Sequence, residues 1–251
     1  MTGAGGRLGR ALMDALRDAP FTGPRGPLGW SRPAFDLDSL DEPGVAALLD
    51  RDRPDVVIHA AAWTDVDGCA RDPHLALHRN GRATAVLAAA CAARGVELAV
   101  VSTNEVFDGR RGDGIGYRPD DAPSPANPYG ASKLAAERAA AGEYARAGRH
   151  GLAIIRTSWL FGAGAADFPR KILAAAGAAR ERGEPLRVVA DEWGSPTYTP
   201  DLAEAIVELI GADALTDGTR APGAPAIHHL VNAGIASRAE WAREVLRLAR
   251  I

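Results

Sequence analysis

Short runs of β-forming residues alternate with alanine-rich helical stretches along this chain, and that alternation restricts the available folds more than any single motif. The β-type runs lie at 55–59, 96–102, 152–157, 186–189 and 227–231, with helical stretches at 43–50, 80–93 and 129–147. Strands separated by helices are joined by crossovers, which build a parallel sheet covered on both faces. The expected fold class is therefore α/β, a doubly wound parallel sheet with a smaller lobe. Ligands of such sheets bind beyond the carboxyl ends of the strands, so the residues just after each run are the ones to read for chemistry.

Composition removes several classes of function. With 47% hydrophobic residues in 251 positions the chain has ample core for one α/β unit, and a net charge of −3 gives no basic footprint for nucleic acid. The longest apolar stretch, 83–93, is far short of the roughly 20 residues of a membrane span, and nothing resembles a signal peptide. A cytoplasmic protein with no membrane partner is expected. Cys69 and Cys91 are too few for a metal site or disulfide framework and read as buried thiols in a reducing compartment. His74 and His78 have metal-compatible spacing but no third ligand nearby, so no metal is expected.

The first residues, Thr2-Gly3-Ala4-Gly5-Gly6-Arg7-Leu8-Gly9, place glycines at 3, 6 and 9 before an apolar stripe of Leu8, Ala11, Leu12, Ala15 and Leu16. Glycine lets a backbone approach a pyrophosphate, and the following helix start offers free N–H groups and a positive dipole end. After the run 28–30 come Arg32, suited to a ribose 2′-phosphate or simply one of many surface arginines, and Asp36-Leu37, suited to an adenine. His59 leads into Ala60-Ala61-Ala62, small enough for a dinucleotide to lie against the backbone, or for close packing. The run 96–102 leads into Thr103-Asn104-Glu105, a hydroxyl, an amide and a carboxylate. The Gly-, Pro- and Asp-rich stretch 108–128 reads as a long loop of the kind that often serves a site.

Beyond that loop, Tyr129 and Lys133 stand four residues apart on a helical stretch. The chain has 27 arginines and two lysines, Lys133 and Lys171. A lysine in so arginine-biased a sequence points to a compact ammonium that a guanidinium cannot replace. Residues i and i+4 share a helix face, so the ammonium can favour the phenolate and pull the phenol pKa toward working pH, as a tyrosine acid/base requires.

Together these residues resemble the extended short-chain dehydrogenase/reductases, with their Rossmann-like sheet. Within them the chain is similar to the dTDP-4-dehydrorhamnose reductase group of nucleotide-sugar reductases, through His59–Asp67, Arg156-Thr157-Ser158-Trp159-Leu160-Phe161-Gly162 and Val189–Thr197. The resemblance implies NADPH or NADH as cofactor, a nucleotide-sugar substrate, a step in dTDP-rhamnose biosynthesis, and Thr103, Tyr129 and Lys133 as catalytic residues. It implies cofactor contacts from Gly3, Gly6, Arg7, Leu8, Gly9, Arg32, Asp36, Leu37, Ala60, Ala61, Ala62 and Asn80. It implies substrate contacts from Thr64, Val66, Asp67, Asn104, Glu105 and Trp159, the last as a sugar platform, with core packing as the alternative. A dinucleotide-binding part at 1–157, 168–190 and 202–232 and a substrate lobe at 158–167, 191–201 and 233–251 are expected, with a homodimer an admissible assembly.

Three departures from the family pattern stand out. No apolar strand precedes Thr2, the family continues beyond the stretch that ends here at Ile251, and Asn104-Glu105 replaces the usual Asp-Tyr. The expectation is a sheet lacking its first strand and a lobe lacking its C-terminal end. Glu105 is shared with related 4,6-dehydratases, which makes a dehydratase the runner-up, ahead of an epimerase. A non-catalytic relative, resembling the regulatory subunit of methionine adenosyltransferase, is the alternative outside enzymes.

Overall fold

The structure, a computed structural model, describes residues 1–111, 115–164, 167–212, 215 and 220–251. Along the chain come α1 (Arg7–Arg17), α2 (Glu42–Asp52), β1 (Val56–His59), α3 (Val66–Arg71) and α4 (Pro73–Ala76), which runs through a π-helical turn at Leu77–Arg82 into α5 (Ala83–Arg94). Then follow β2 (Glu97–Thr103), a 3₁₀ turn at Asn104–Val106, α6 (Pro128–Arg146), β3 (Leu152–Thr157), β4 (Leu160–Phe161) and α7 (Phe168–Arg182). The last part holds β5 (Trp193–Gly194), β6 (Thr197–Tyr198), α8 (Thr199–Gly211), β7 (Ala226–His229), β8 (Ala236–Ser237) and α9 (Arg238–Ala249).

Among the described residues the main sheet is parallel throughout, in the order β1-β2-β3-β7. Its strands alternate between two cores, as a period of two requires. Val57, Leu98, Val100, Leu152 and Ile154 face α2 and α5 with Leu48 and Leu87. Ile58, Ala99, Ala153 and Ile155 face α1 and α8, where Leu8, Leu12 and Leu16 meet Leu202, Ile206 and Ile210. Each fully buried Leu or Ile is worth about 2 kcal/mol, so the two layers hold the sheet from both sides.

The outer edge of β1 does not stand alone. Thr2 bridges in parallel to both His59 and Trp30, through Thr2 N–H to Ile58 O (2.9 Å), Gly3 N–H to Trp30 O (3.1 Å) and Trp30 N–H to Met1 O (2.7 Å). The first strand, expected to be absent, is thus represented by Met1–Gly3, and a cleft of about 560 Å³ lies alongside, bordered by Met1, Leu28, Trp30 and Val56.

Other expectations shift as well. Leu186–Val189 pairs with nothing and Val189 is exposed, because β propensity expresses the packing a neighbouring strand would supply. The run 28–30 contributes a single bridge at Trp30. Helix α7, expected with the dinucleotide-binding part, packs against α9 and brings Phe168 onto Trp241 (4.5 Å between centroids). The loop at 108–128, of which 112–114 lie outside the described residues, is pinned down. Tyr117 stacks on Phe107 at 4.3 Å and gives its hydroxyl hydrogen to Asp108, while its carbonyl oxygen meets His229 Nδ1.

Candidate active site

The glycine segment is shaped by close approach. A Cβ on Gly3, which has φ +68°, would stand 2.8 Å from Ala61 N, and one on Gly9 would collide with the Gly3 carbonyl oxygen. Gly5 faces open space, and Gly6 caps α1 without any side chain over the helix start. A bare helix N-terminus beside a glycine turn suits a pyrophosphate. Arg7 and Leu8 can contribute only their backbones there, since the Leu8 side chain is in the core and Arg7 reaches across to the carbonyl oxygen of Leu160 (3.2 Å).

Behind this segment runs a line of buried hydrogen bonds whose directions can be assigned. Thr84 gives its hydroxyl hydrogen to Asn80 O (2.6 Å), so His59 Nε2, 3.0 Å from Thr84 Oγ1, must carry the ring hydrogen. His59 Nδ1 then accepts from Thr2 Oγ1 (2.8 Å), which in turn accepts Ala61 N–H (3.1 Å). Burial, with Lys133 nearby, pushes the His59 pKa down to about 3 and keeps the ring neutral. The Asn80 side chain continues the line: Oδ1 accepts Trp63 N–H, while Nδ2 donates to Trp63 O and to Ser132 Oγ, which donates to Tyr129 O. Both amide hydrogens of Asn80, a residue expected on the cofactor, are committed here, and they brace the loop that carries Ala60, Ala61 and Ala62.

Thr103, at the end of β2, accepts Glu105 N–H (3.2 Å) and gives its hydroxyl hydrogen to Asn104 Oδ1 (3.4 Å), close enough to the Tyr129 phenol to pull its pKa down. Helix α6 starts where Asn127 accepts Gly130 N–H (2.8 Å) with Pro128 in the first turn, a standard way to satisfy an open N-terminus. Asn127 Nδ2 also donates to Glu105 Oε2 (2.7 Å), and a Cβ on Gly130 would collide with the Glu105 carbonyl oxygen, so helix and turn touch backbone to backbone.

The sequence-based expectation that Lys133 lowers the phenol pKa does not hold in this structure. Burial dominates and pushes Tyr129 up to about 12, against the opposing pull of Thr103. Lys133 is itself 2% exposed, and burial takes its pKa down to about 8 despite Glu137. Its ammonium makes no hydrogen bond among the described residues. One turn further, Glu137 is held by Arg156 through two hydrogen bonds (3.0 and 2.7 Å) and by Ser102 (2.5 Å). At the end of β3, level with Thr103, the Thr157 hydroxyl is buried without a partner.

A nicotinamide dinucleotide fits these features: a glycine cradle, an open helix start, small residues at 60–62, a donor-rich ammonium and an unpartnered hydroxyl at the sheet's carboxyl edge. Asp36 and Leu37 are half-buried beside the first core layer, and Arg32 is exposed near Asp38, which Arg79 grips with two hydrogen bonds. Thr64, Val66 and Asp67 are exposed at the start of α3. Trp159, expected as a platform, has Arg238 over its ring at 3.5 Å and Trp241 stacked at 5.8 Å, with Gly194 tight against it. These neighbours tie the half-buried Trp159 into the small lobe.

Sequence reasoning missed Asn127, Glu137, Arg156 and Thr157. Asn-Pro before Tyr129 is a helix-start signal, and Glu137 continues the i, i+4 series of Tyr129 and Lys133. Arg156 and Thr157 open one of the segments that carry the resemblance, but their facing depends on strand register.

Fold and site together define a dinucleotide-binding α/β protein of the oxidoreductase class. The chain belongs to the RmlD substrate binding domain family, whose profile matches residues 1–251. It is 37% identical over 248 residues to the dTDP-4-dehydrorhamnose reductase of Streptomyces griseus (99% of this chain, 75% of that protein). It is 35% identical over 255 residues to the dTDP-4-keto-6-deoxy-D-glucose reductase of Streptomyces niveus (99% and 77%). Among solved structures, the dTDP-4-dehydrorhamnose reductase of Bacillus anthracis in complex with NADP superposes with a TM-score of 0.80 at 30% identity (100% of this chain, 80% of that one).

Proposed function

We propose that the protein reduces the C4 keto group of a dTDP-4-keto-6-deoxy sugar with NADPH, or with NADH. The observation that carries this reading is the placement of Tyr129 and Lys133 one turn apart on α6, beside Thr103 at the carboxyl end of β2. A phenol with its pKa near 12 holds its proton at neutral pH, which is the state a carbonyl reduction needs. The reduced nicotinamide supplies the hydride. Tyr129 gives its proton to the substrate oxygen, Thr103 donates a hydrogen bond there, and the Lys133 ammonium holds ribose hydroxyls and stabilises the phenolate left behind. Gly3, Gly6 and Gly9 line the pyrophosphate, Asp36 and Leu37 the adenine, and Thr157 joins the polar groups facing the cofactor. Thr64, Val66, Asp67 and Asn104 border the sugar nucleotide. The substrate lobe takes α7 in addition to the segments at 158–167, 191–201 and 233–251. A cytoplasmic setting follows from where reduced dinucleotides and nucleotide sugars are kept.

A dehydratase would need an acid at 104 and a free base at 105. Asn104 has no carboxylic proton, and Glu105 is engaged with Asn127 at the start of α6. The test is loss of NADPH absorbance on adding a dTDP-4-keto-6-deoxyhexose, run beside oxidised cofactor with dTDP-glucose. Turnover in the first assay supports the reductase; a 4-keto-6-deoxy product in the second replaces it with the dehydratase. Binding of both ligands without turnover in either assay would point to the non-catalytic alternative.

A further inference from the structure

Tyr129, Lys133 and Glu137 occupy successive turns of one face of α6, and the second and third carry opposite charges at i, i+4 spacing. Such a pair, buried at 2% and 6% exposure, would ordinarily close into a salt bridge. It does not, because both Glu137 oxygens are occupied from β3 and β2: Arg156 holds them at 3.0 and 2.7 Å, and Ser102 donates to one at 2.5 Å. Arg156 is fixed in turn, 4% exposed, with Phe107 5.1 Å from its guanidinium and Pro119 O at 3.4 Å.

We propose that Arg156 is a positioning residue that holds the Glu137 carboxylate away from Lys133 and so leaves the three ammonium donors free for ligand. A bidentate guanidinium is the partner best suited to monopolise a carboxylate. The other polar groups near Lys133 or near Tyr129, one turn before it, offer no comparable partner. His59 of β1 is neutral and fully bonded, Thr103 of β2 carries no charge, Glu105 is turned to Asn127, and the Cys69 thiol of α3 is pushed up by burial and stays protonated. The idea rests on the reductase reading for its purpose, but its test does not use turnover.

Because the chain has only two lysines, protein labelled with ¹³C at lysine Cε gives two side-chain signals, and Lys171→Arg leaves Lys133 alone. Its titration midpoint is followed in the whole chain without cofactor. Arg156→Met should let Glu137 swing onto the ammonium and raise the midpoint by about one unit or more. Arg156→Met/Glu137→Met, in which the buried pair is replaced by apolar side chains and folding is best preserved, should lower it below the parent value. Arg156→Lys, which keeps a charge but loses the fork, should give a smaller rise and remains informative if Arg156→Met does not fold. NADPH affinity, read by fluorescence, should fall in the two single variants. A folded single variant with an unchanged Lys133 midpoint would overturn the proposal and leave the pair a purely structural one. Absence of reductase turnover in the parent alongside the expected midpoint shifts would instead fault the reaction assignment.

Discussion

The glycine-segment wall of the candidate site and its α6 wall treat their buried polar atoms in opposite ways. On the glycine side, Ala61 N–H, Thr2, His59, Thr84 and Asn80 bond one another until no donor is left over. On the α6 side, Lys133 has no hydrogen-bond partner among the described residues and Thr157 Oγ1 is unpartnered. An unmade buried hydrogen bond costs about 1–3 kcal/mol, so the second wall tolerates a deficit that the line from Ala61 to Asn80 does not have. The difference teaches where rigidity and reactivity reside: the saturated wall fixes the backbone that would cradle phosphates, and the unsaturated wall keeps donors available for reacting atoms.

That contrast can be broken most severely at Tyr129. Tyr129→Phe should lower turnover by about 10²-fold or more while leaving cofactor affinity within about twofold, because the phenol belongs to the chemical wall alone. Steady-state kinetics with cofactor titration checks both halves, and wild-type-like turnover would remove Tyr129 from the proton transfer.

His59→Leu should act in the complementary way. It strands the hydroxyls of Thr2 and Thr84, at about 2–4 kcal/mol in total, a fall in melting temperature of roughly 5–10 °C for a chain of this size. The cofactor KM should rise about tenfold as the glycine segment loosens, with kcat at saturation little changed. Equal losses in both constants would show that the walls are not separable.

A smaller, continuous effect comes from pH. Tyr129 stays protonated well past neutrality, whereas Lys133, with its pKa near 8, is charged below that value and neutral above it. For the free enzyme, kcat/KM should therefore be level below about pH 8 and fall by up to about tenfold per unit above it. No corresponding loss should come from His59, which is already neutral throughout that range. A profile that rises through pH 8 would mean that neutral Lys133 is the active form.

The smallest expected change is at Arg32, exposed at the rim near Asp38. Arg32→Ala should raise the KM for NADPH a few-fold and leave that for NADH nearly alone, since an exposed charge pair is worth about 0.5–1 kcal/mol. Equal shifts for both cofactors would assign Arg32 no part in reading the 2′-phosphate.

Much of this is legible in the sequence because it is local. Glycine spacing before an apolar stripe, hydroxyl residues after a β-type run, and Tyr129 four residues before Lys133 each encode geometry within a single turn or element. What is not legible depends on register and facing. Thr157 lies level with Thr103 only because β2 and β3 pair as they do. Trp159 could serve as platform or core, and the neighbours that bear on the choice, Arg238 and Trp241, are distant in sequence on α9. The pKa of Tyr129 escapes the sequence for the same reason: the helix repeat reveals that a lysine is near, but not that burial is the larger influence on the half-buried phenol.

The contact between Gly130 and the Glu105 carbonyl also bears on how such a site can diversify. Helix and turn meet through main chain, without an intervening side chain at position 104. The spacing between the start of α6 and the end of β2 is therefore inherited from the main chain, whereas the Asn104 side chain meets the Thr103 hydroxyl and not the helix. A substitution at 104 would retune that hydroxyl while the backbone seat of Tyr129 is carried along unchanged.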